Sequence, residues 1–176
     1  MNKGFTLIEL LVVVIIIGIL TAVAMPEYTK AIDETKTTLA MAFLREVKKA
    51  DNLYYMKNGK YARFFSSLDI DVSKACPELR EISRYGTASL AGCQNYFAIT
   101  LYSGAGVATG DINLLFCPDV TGGDQDTLYS NCSSNSVAVY RTNAKSNSYT
   151  CNAMVRNGAY DKRGKFICNL IKEANL

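Results

Sequence analysis

Two kinds of helical pattern follow one another in the first third of the chain. Residues 5–25 carry one charge, Glu9, and the run Leu10-Leu11-Val12-Val13-Val14-Ile15-Ile16-Ile17-Gly18-Ile19-Leu20 has no polar side chain. As a helix these 21 residues would extend roughly 31 Å, about the thickness of a bilayer core. After Pro26 the pattern turns amphipathic. Tyr28, Ile32, Thr35, Leu39, Phe43, Val47, Ala50 and Tyr54 recur at steps of four or three, with charges such as Lys30, Asp33, Arg45, Lys49 and Asp51 between them. That is one helical stripe. Asn58-Gly59 is a good stop signal, so the spacing predicts a helix over 5–57, with 5–25 as its membrane-spanning part.

From residue 58 onward the period changes. Residues 60–95 show no clean repeat, apart from a short helix expected near 78–83. Residues 96–102 are aromatic and β-branched, with Phe97, Ile99 and Leu101 on one face, and read as a strand. Further strands are expected at 112–117, 136–141, 148–155 and 165–171, with Asn157-Gly158 and Arg163-Gly164 marking the turn region between the last two. An antiparallel sheet packed against the helix stripe is an α+β architecture, with residues 58–176 as a globular head.

Composition agrees with a folded chain: 176 residues, 49% hydrophobic and 20% charged, enough for one domain and an appendage. There is no histidine, which excludes Ser-His and Cys-His catalysis and histidine metal sites. Neither a phosphate loop nor a recognisable nucleophile–base pair is present, so neither an enzyme nor a cofactor is expected. A net charge of +3 is too small to argue for nucleic acid. The six cysteines have successive gaps of 17, 24, 15, 19 and 17 positions and no CxxC pair. Zinc sites favour close ligand pairs, so disulfides outside the cytosol are the better reading.

The apolar N-terminus admits three readings. Ala22-Val23-Ala24 supplies the A-x-A site of a secretory signal, which would release a binding domain after Ala24. Against it stand the length of the apolar run, its single preceding lysine and the acid inside it. A plain single-pass anchor fits Lys3 but leaves Glu9 unexplained, because a carboxylate in lipid costs a few kcal/mol unless paired or near the interface. In the third reading, Met1-Asn2-Lys3-Gly4-Phe5-Thr6-Leu7-Ile8-Glu9-Leu10 resembles the N-terminus of type IV prepilins and of the pseudopilins of type II secretion. The string Tyr54-Tyr55-Met56-Lys57-Asn58-Gly59-Lys60-Tyr61 also resembles the end of the first helix in that family.

The resemblance implies a pilin-like fold with residues 1–4 as a leader. A prepilin peptidase would cut between Gly4 and Phe5 and methylate the new amine of Phe5. Glu9 of one subunit would meet the Phe5 amine of a neighbour, so that two buried charges satisfy each other during assembly. Pro26 would kink the helix. The implied partners are other pilin subunits in a homopolymer, the peptidase and an inner-membrane assembly platform. The implied location is the bacterial inner membrane before assembly and a cell-surface pilus afterwards. The corresponding function is structural, in adhesion, motility or DNA uptake. A secretion pseudopilin, a short periplasmic filament, is the alternative within the family, and the cysteines favour the pilus.

Six cysteines admit fifteen pairings. Consecutive pairs close loops of similar length: Cys76 with Cys93, Cys117 with Cys132, and Cys151 with Cys168, the last two on the final strand candidates. A terminal pair is similar to the disulfide-bounded C-terminal region of many type IV pilins. Charge is uneven. Residues 86–139 contain no lysine or arginine, whereas residues 141–172 contain seven basic residues and one acid, a split able to orient neighbouring subunits. Arg156, Lys162, Arg163 and Lys165 lack the aromatic platform expected of a nucleic-acid site. Asp119, Asp124 and Asp126 are weak calcium candidates, without the glycine turn and distal glutamate of an EF-hand.

Overall fold

The computed structural model describes residues 6–71, 81–84, 88–93, 96–104, 107–118, 132, 134–146, 148–156 and 158–173, with only the backbone at 81–84, 88–93, 102–104, 107–108 and 156. It divides into two compact units, Met1–Thr35 and Lys36–Leu176. Helix α1 runs Leu7–Asn58.

In the first unit the apolar side chains of α1 have no cover: those from Leu10 to Met25 that are large and hydrophobic are 48% to 69% exposed. The segment is long and apolar enough to cross a membrane. Pro26 lies inside the helix and does not end it. Its ring removes the N–H that the Ala22 carbonyl would accept. Nearby, the Thr21 and Thr29 hydroxyls donate to the carbonyls of Ile17 at 2.8 Å and Met25 at 3.0 Å.

In the second unit α1 ends as its sequence dictates. Gly59 has φ +69°, the left-handed conformation a helix stop requires. Its N–H donates to the Tyr55 carbonyl at 2.8 Å, and the Asn58 amide donates to Tyr54 O at 2.9 Å. A 3₁₀ turn follows at Phe65–Ser67. Six strands then form one antiparallel meander in chain order: β1 Glu81–Arg84, β2 Ala88–Cys93, β3 Phe97–Gly104, β4 Val107–Phe116, β5 Ala138–Asn143 and β6 Tyr149–Ala153. A two-stranded ribbon, β7 Val155–Arg156 and β8 Ala159–Tyr160, precedes helix α2, Lys162–Glu173.

The core lies between one face of the sheet and the two helices. Met41, Phe43, Leu44 and Val47 of α1 share it with Ile99 and Leu101 of β3, Ile112, Leu114 and Phe116 of β4, Tyr140 of β5, and Ile167 and Ile171 of α2. This is the expected α+β arrangement, with three differences.

The helix stripe is displaced. Phe43, Val47 and Ala50 are buried, but Leu39 is 47% exposed, and Thr37, Ala40, Met41, Leu44 and Asp51 are buried in its stead. Repeated steps of four drift around a helix of 3.6 residues per turn. Counting Asp51 as solvent-facing turns the predicted stripe away from the side on which it lies.

The helix expected near 78–83 is not found where residues are described, since Glu81–Arg84 is strand β1, paired with β2. Sheet pairing here overrides a local helix-like composition.

Residues 165–171, expected as a strand, belong to helix α2. Gly164, Ile167 and Ile171 are its buried positions, a spacing of three and four that a short apolar run does not separate from alternation. Asp161 starts this helix: its Oδ1 accepts the Gly164 N–H at 2.9 Å and its carbonyl accepts the Lys165 N–H at 3.0 Å. Arg163-Gly164 is therefore helical and not a turn, whereas Gly158 does turn, between β7 and β8.

Candidate functional site

The chemistry the sequence points to begins at the start of α1. Thr6 is the residue before the helix, and its carbonyl accepts the Leu10 N–H at 3.3 Å. Glu9 reaches back, its Oε2 accepting the Thr6 N–H at 2.9 Å and the Thr6 hydroxyl at 2.6 Å. The Thr6 hydroxyl oxygen lies 3.4 Å from the Glu9 N–H. Thr6 and Glu9 thus form a reciprocal capping box. The signal was in the sequence as Thr6-x-x-Glu9, and reading Glu9 only as a charge in an apolar run passes over it.

The consequence is electrostatic. The carboxylate sits over the positive end of the helix dipole with two donors on one oxygen. This lowers the penalty of placing an acid at the edge of an apolar segment. Among the described residues Oε1 has no partner and remains available to a cation. Gly4 and Phe5, the expected cleavage and methylation positions, lie outside the described residues.

The head is tied by disulfides. Cys117 joins Cys132 with Cα atoms 5.3 Å apart, and Cys151 joins Cys168 at 5.5 Å. The second links strand β6 to helix α2, not strand to strand. Each loop closure is worth about 3 kcal/mol on the chain-entropy estimate. Cys76 and the side chain of Cys93 lie outside the described residues, as do Asp119, Asp124 and Asp126. Among the described residues no group of three or more acidic, cysteine or histidine side chains is placed to hold a metal. Of the basic group, Lys165 lies over the Tyr160 ring at 5.2 Å.

One buried acid was not singled out as a site residue. Asp51 is 1% exposed, and its Oδ1 accepts the Ala62 N–H at 2.8 Å. This bond holds the chain that leaves α1 against the helix. Burial pushes the Asp51 carboxyl above the ordinary carboxylate range, opposed by the Ala62 hydrogen bond. One turn away, Lys48 Nζ donates to the Ser146 carbonyl, and the Asn52 amide donates to Ala144 O at 2.7 Å. These two bonds pin the β5–β6 turn to α1.

Comparison with known proteins identifies the motif at the N-terminus. Residues 1–25 match the family described as "Prokaryotic N-terminal methylation motif". The chain is 41% identical over 61 residues to the type IV major pilin protein PilE1 of Neisseria gonorrhoeae, covering 35% of this chain and 37% of that one. It is 37% identical over 73 residues to the type II secretion system core protein G of Pseudomonas aeruginosa, covering 42% and 51%. To the type IV wide pilus major component PilA4 of Thermus thermophilus it is 42% identical over 59 residues, covering 34% and 45%. The matches span between about a third and a half of the length of these relatives. The N-terminal segment is thus similar to that of type IV major pilins and of a type II secretion core protein, and the chain continues into an α+β head.

Proposed function

We propose that this chain is a structural subunit of a type IV pilus-like filament. The observation that carries the reading is the methylation motif over residues 1–25, whose helical part, from Leu7 to Met25, leaves its apolar side chains exposed. A soluble domain gains nothing from such a surface, but a membrane anchor that later packs against identical helices does. Residues 1–4 are the leader, 5–57 the long helix and 58–176 the head. The peptidase cuts after Gly4 and methylates Phe5. Glu9, held by Thr6, offers Oε1 to the Phe5 amine of the next subunit as the helices leave the inner membrane through an assembly platform for a cell-surface pilus. Pro26 gives the helix a place to bend.

Similarity to a type II secretion core protein supports a second reading, a periplasmic pseudopilus subunit. N-terminal sequencing and intact mass of protein from cells test the processing common to both. A chain beginning at methylated Phe5 agrees with the proposal. One beginning at Met25 would mean a secreted domain, and one retaining Met1 a plain anchor. Electron microscopy of sheared surface fractions then separates pilus from pseudopilus.

A further inference from the structure

The face of the sheet opposite the core carries a concavity lined mostly by residues with polar side chains. On β4, β5 and β6, positions alternate between faces. Ile112, Leu114 and Thr142 are buried, which places Asp111 and Asn113, Arg141 and Asn143, and Thr150 on the other side. Strand register sets Asn113 opposite Arg141 and Arg141 opposite Thr150. The three side chains thus form one row, about 10 Å long at normal strand spacing. The concavity over this row measures about 460 Å³ and is also lined by Ser148.

One end of it is held in place: the turn after β5 is pinned from beneath by Lys48 and Asn52, and the Ala144 N–H donates to the Gly110 carbonyl at 2.7 Å. Three polar side chains are already committed to the frame, the Ser148 hydroxyl by its bond to that of Ser146. Asp111 accepts from Asn143 at 2.7 Å and from the Thr109 hydroxyl at 2.7 Å, and the Asn143 Oδ1 accepts the Lys145 N–H at 2.9 Å. Among the described residues, nothing bonds to or pairs with the side chains of Arg141, Asn113 or Thr150. A guanidinium flanked by an amide and a hydroxyl therefore faces solvent above a fixed floor.

We propose that this row binds a carboxylate-bearing saccharide, such as a uronic-acid disaccharide. The guanidinium matches a carboxylate bidentately. The Asn113 amide and the Thr150 hydroxyl both donate and accept, which suits sugar hydroxyls and would be idle against the methylene stem of an acidic peptide side chain. The length of the row is the reach of two pyranose rings. The site is independent of the N-terminal motif and holds whichever filament the chain builds.

The test is calorimetric titration of the full chain in detergent micelles with digalacturonate. Its neutral counterpart galactobiose is expected to bind at least about tenfold more weakly, and Arg141→Gln to weaken digalacturonate by about tenfold or more. Arg141→Lys keeps the charge without the fork and falls between. Lys162→Gln, away from the row, leaves binding unchanged. Arg141 is exposed, so its substitution leaves the fold intact, which circular dichroism checks. The proposal is overturned by an absence of digalacturonate binding up to about 10 mM, or by Arg141→Gln binding as well as the parent. It is equally overturned if inorganic phosphate, a poly-glutamate peptide or single-stranded DNA competes as well as the sugar acid, which would make the row a general anion site.

Discussion

Asp51 and Ala62 are joined by a hydrogen bond of 2.8 Å between a carboxylate on α1 and the N–H of the chain that has just left it. The bond uses Oδ1, and Oδ2 is buried with no partner among the described residues. Asparagine would keep an acceptor for Ala62 and remove the buried charge. The folded-state pKa of Asp51 is raised, so the folded protein holds this proton more tightly than the unfolded chain. Its contribution to stability is fully present below the ordinary value of 3.8 and is lost as pH rises through the folded value. Asp51→Asn should therefore raise the Tm at pH 7 by about 2–4 °C, the effect of roughly 1 kcal/mol in a chain this size. The gain should vanish near pH 3.5. Thermal melts of the two proteins across that range check it. A gain that grew on acidification would contradict the assignment.

At the other end of α1, Thr6 and Glu9 have separable roles. Glu9→Leu removes the acid, and the protein should still be processed and reside in the membrane with a normally folded head, yet form no filaments. A neighbour's buried amine would be stranded at a cost of a few kcal/mol per subunit. Thr6→Val leaves the acid but takes away the hydroxyl at 2.6 Å. Filaments should then form in reduced number and shear more readily. Immunoblots of membranes beside micrographs of sheared fractions read both variants, and abundant filaments of Glu9→Leu alone would refute the role given to the acid.

Gly164 is fixed by space. A Cβ there would lie 2.0 Å from the Val137 carbonyl oxygen and 2.8 Å from its carbon, and backbone cannot yield as a side-chain tip does. Gly164→Ala should push α2 off the sheet and cost about 2 kcal/mol, measured as a lower urea midpoint with an unchanged slope. A midpoint within error of the parent would mean that α2 docks elsewhere.

Cys151→Ser with Cys168→Ser unties α2 from β6. The loop between these cysteines spans 17 positions, so the loss should be about 3 kcal/mol. Limited proteolysis should cut within residues 155–165 before the rest of the head. Proteolysis at an unchanged site and rate would show that packing of Ile167 and Ile171 suffices.

How much of this was legible in the sequence depends on what fixes each element. The apolar run, the Asn58-Gly59 stop and strands β3 to β6 follow local pattern, and the sequence marks them. The pairs Cys117 with Cys132 and Cys151 with Cys168 are two of the three consecutive pairs that similar loop lengths favour without fixing, and the helical setting of Cys168 is not legible there. That helix was hidden because Phe166, Ile167, Cys168, Leu170 and Ile171 form a short apolar run without a decisive period. Its marker was Asp161, an N-cap in front of a glycine. Asp51 was hidden for the opposite reason: an acid reads as surface, and its partner Ala62 is brought close only by the turn after α1. The row Asn113, Arg141 and Thr150 could not be read from spacing, since its members come together through register across three strands.

The meander has a consequence for the order in which the head is made. Every strand pairs with its neighbour in sequence, so the sheet has a low contact order for a β-rich structure and can be extended one strand at a time. The two described disulfides are nested in neither each other nor the strand order: Cys132 follows Cys117, and only later does Cys168 follow Cys151. For a head threaded into an oxidising space in chain order behind its membrane helix, a thiol oxidase that pairs these four cysteines as they emerge makes the native bonds directly. Maturation of this part of the head then needs an oxidant but no isomerase to undo wrong pairs.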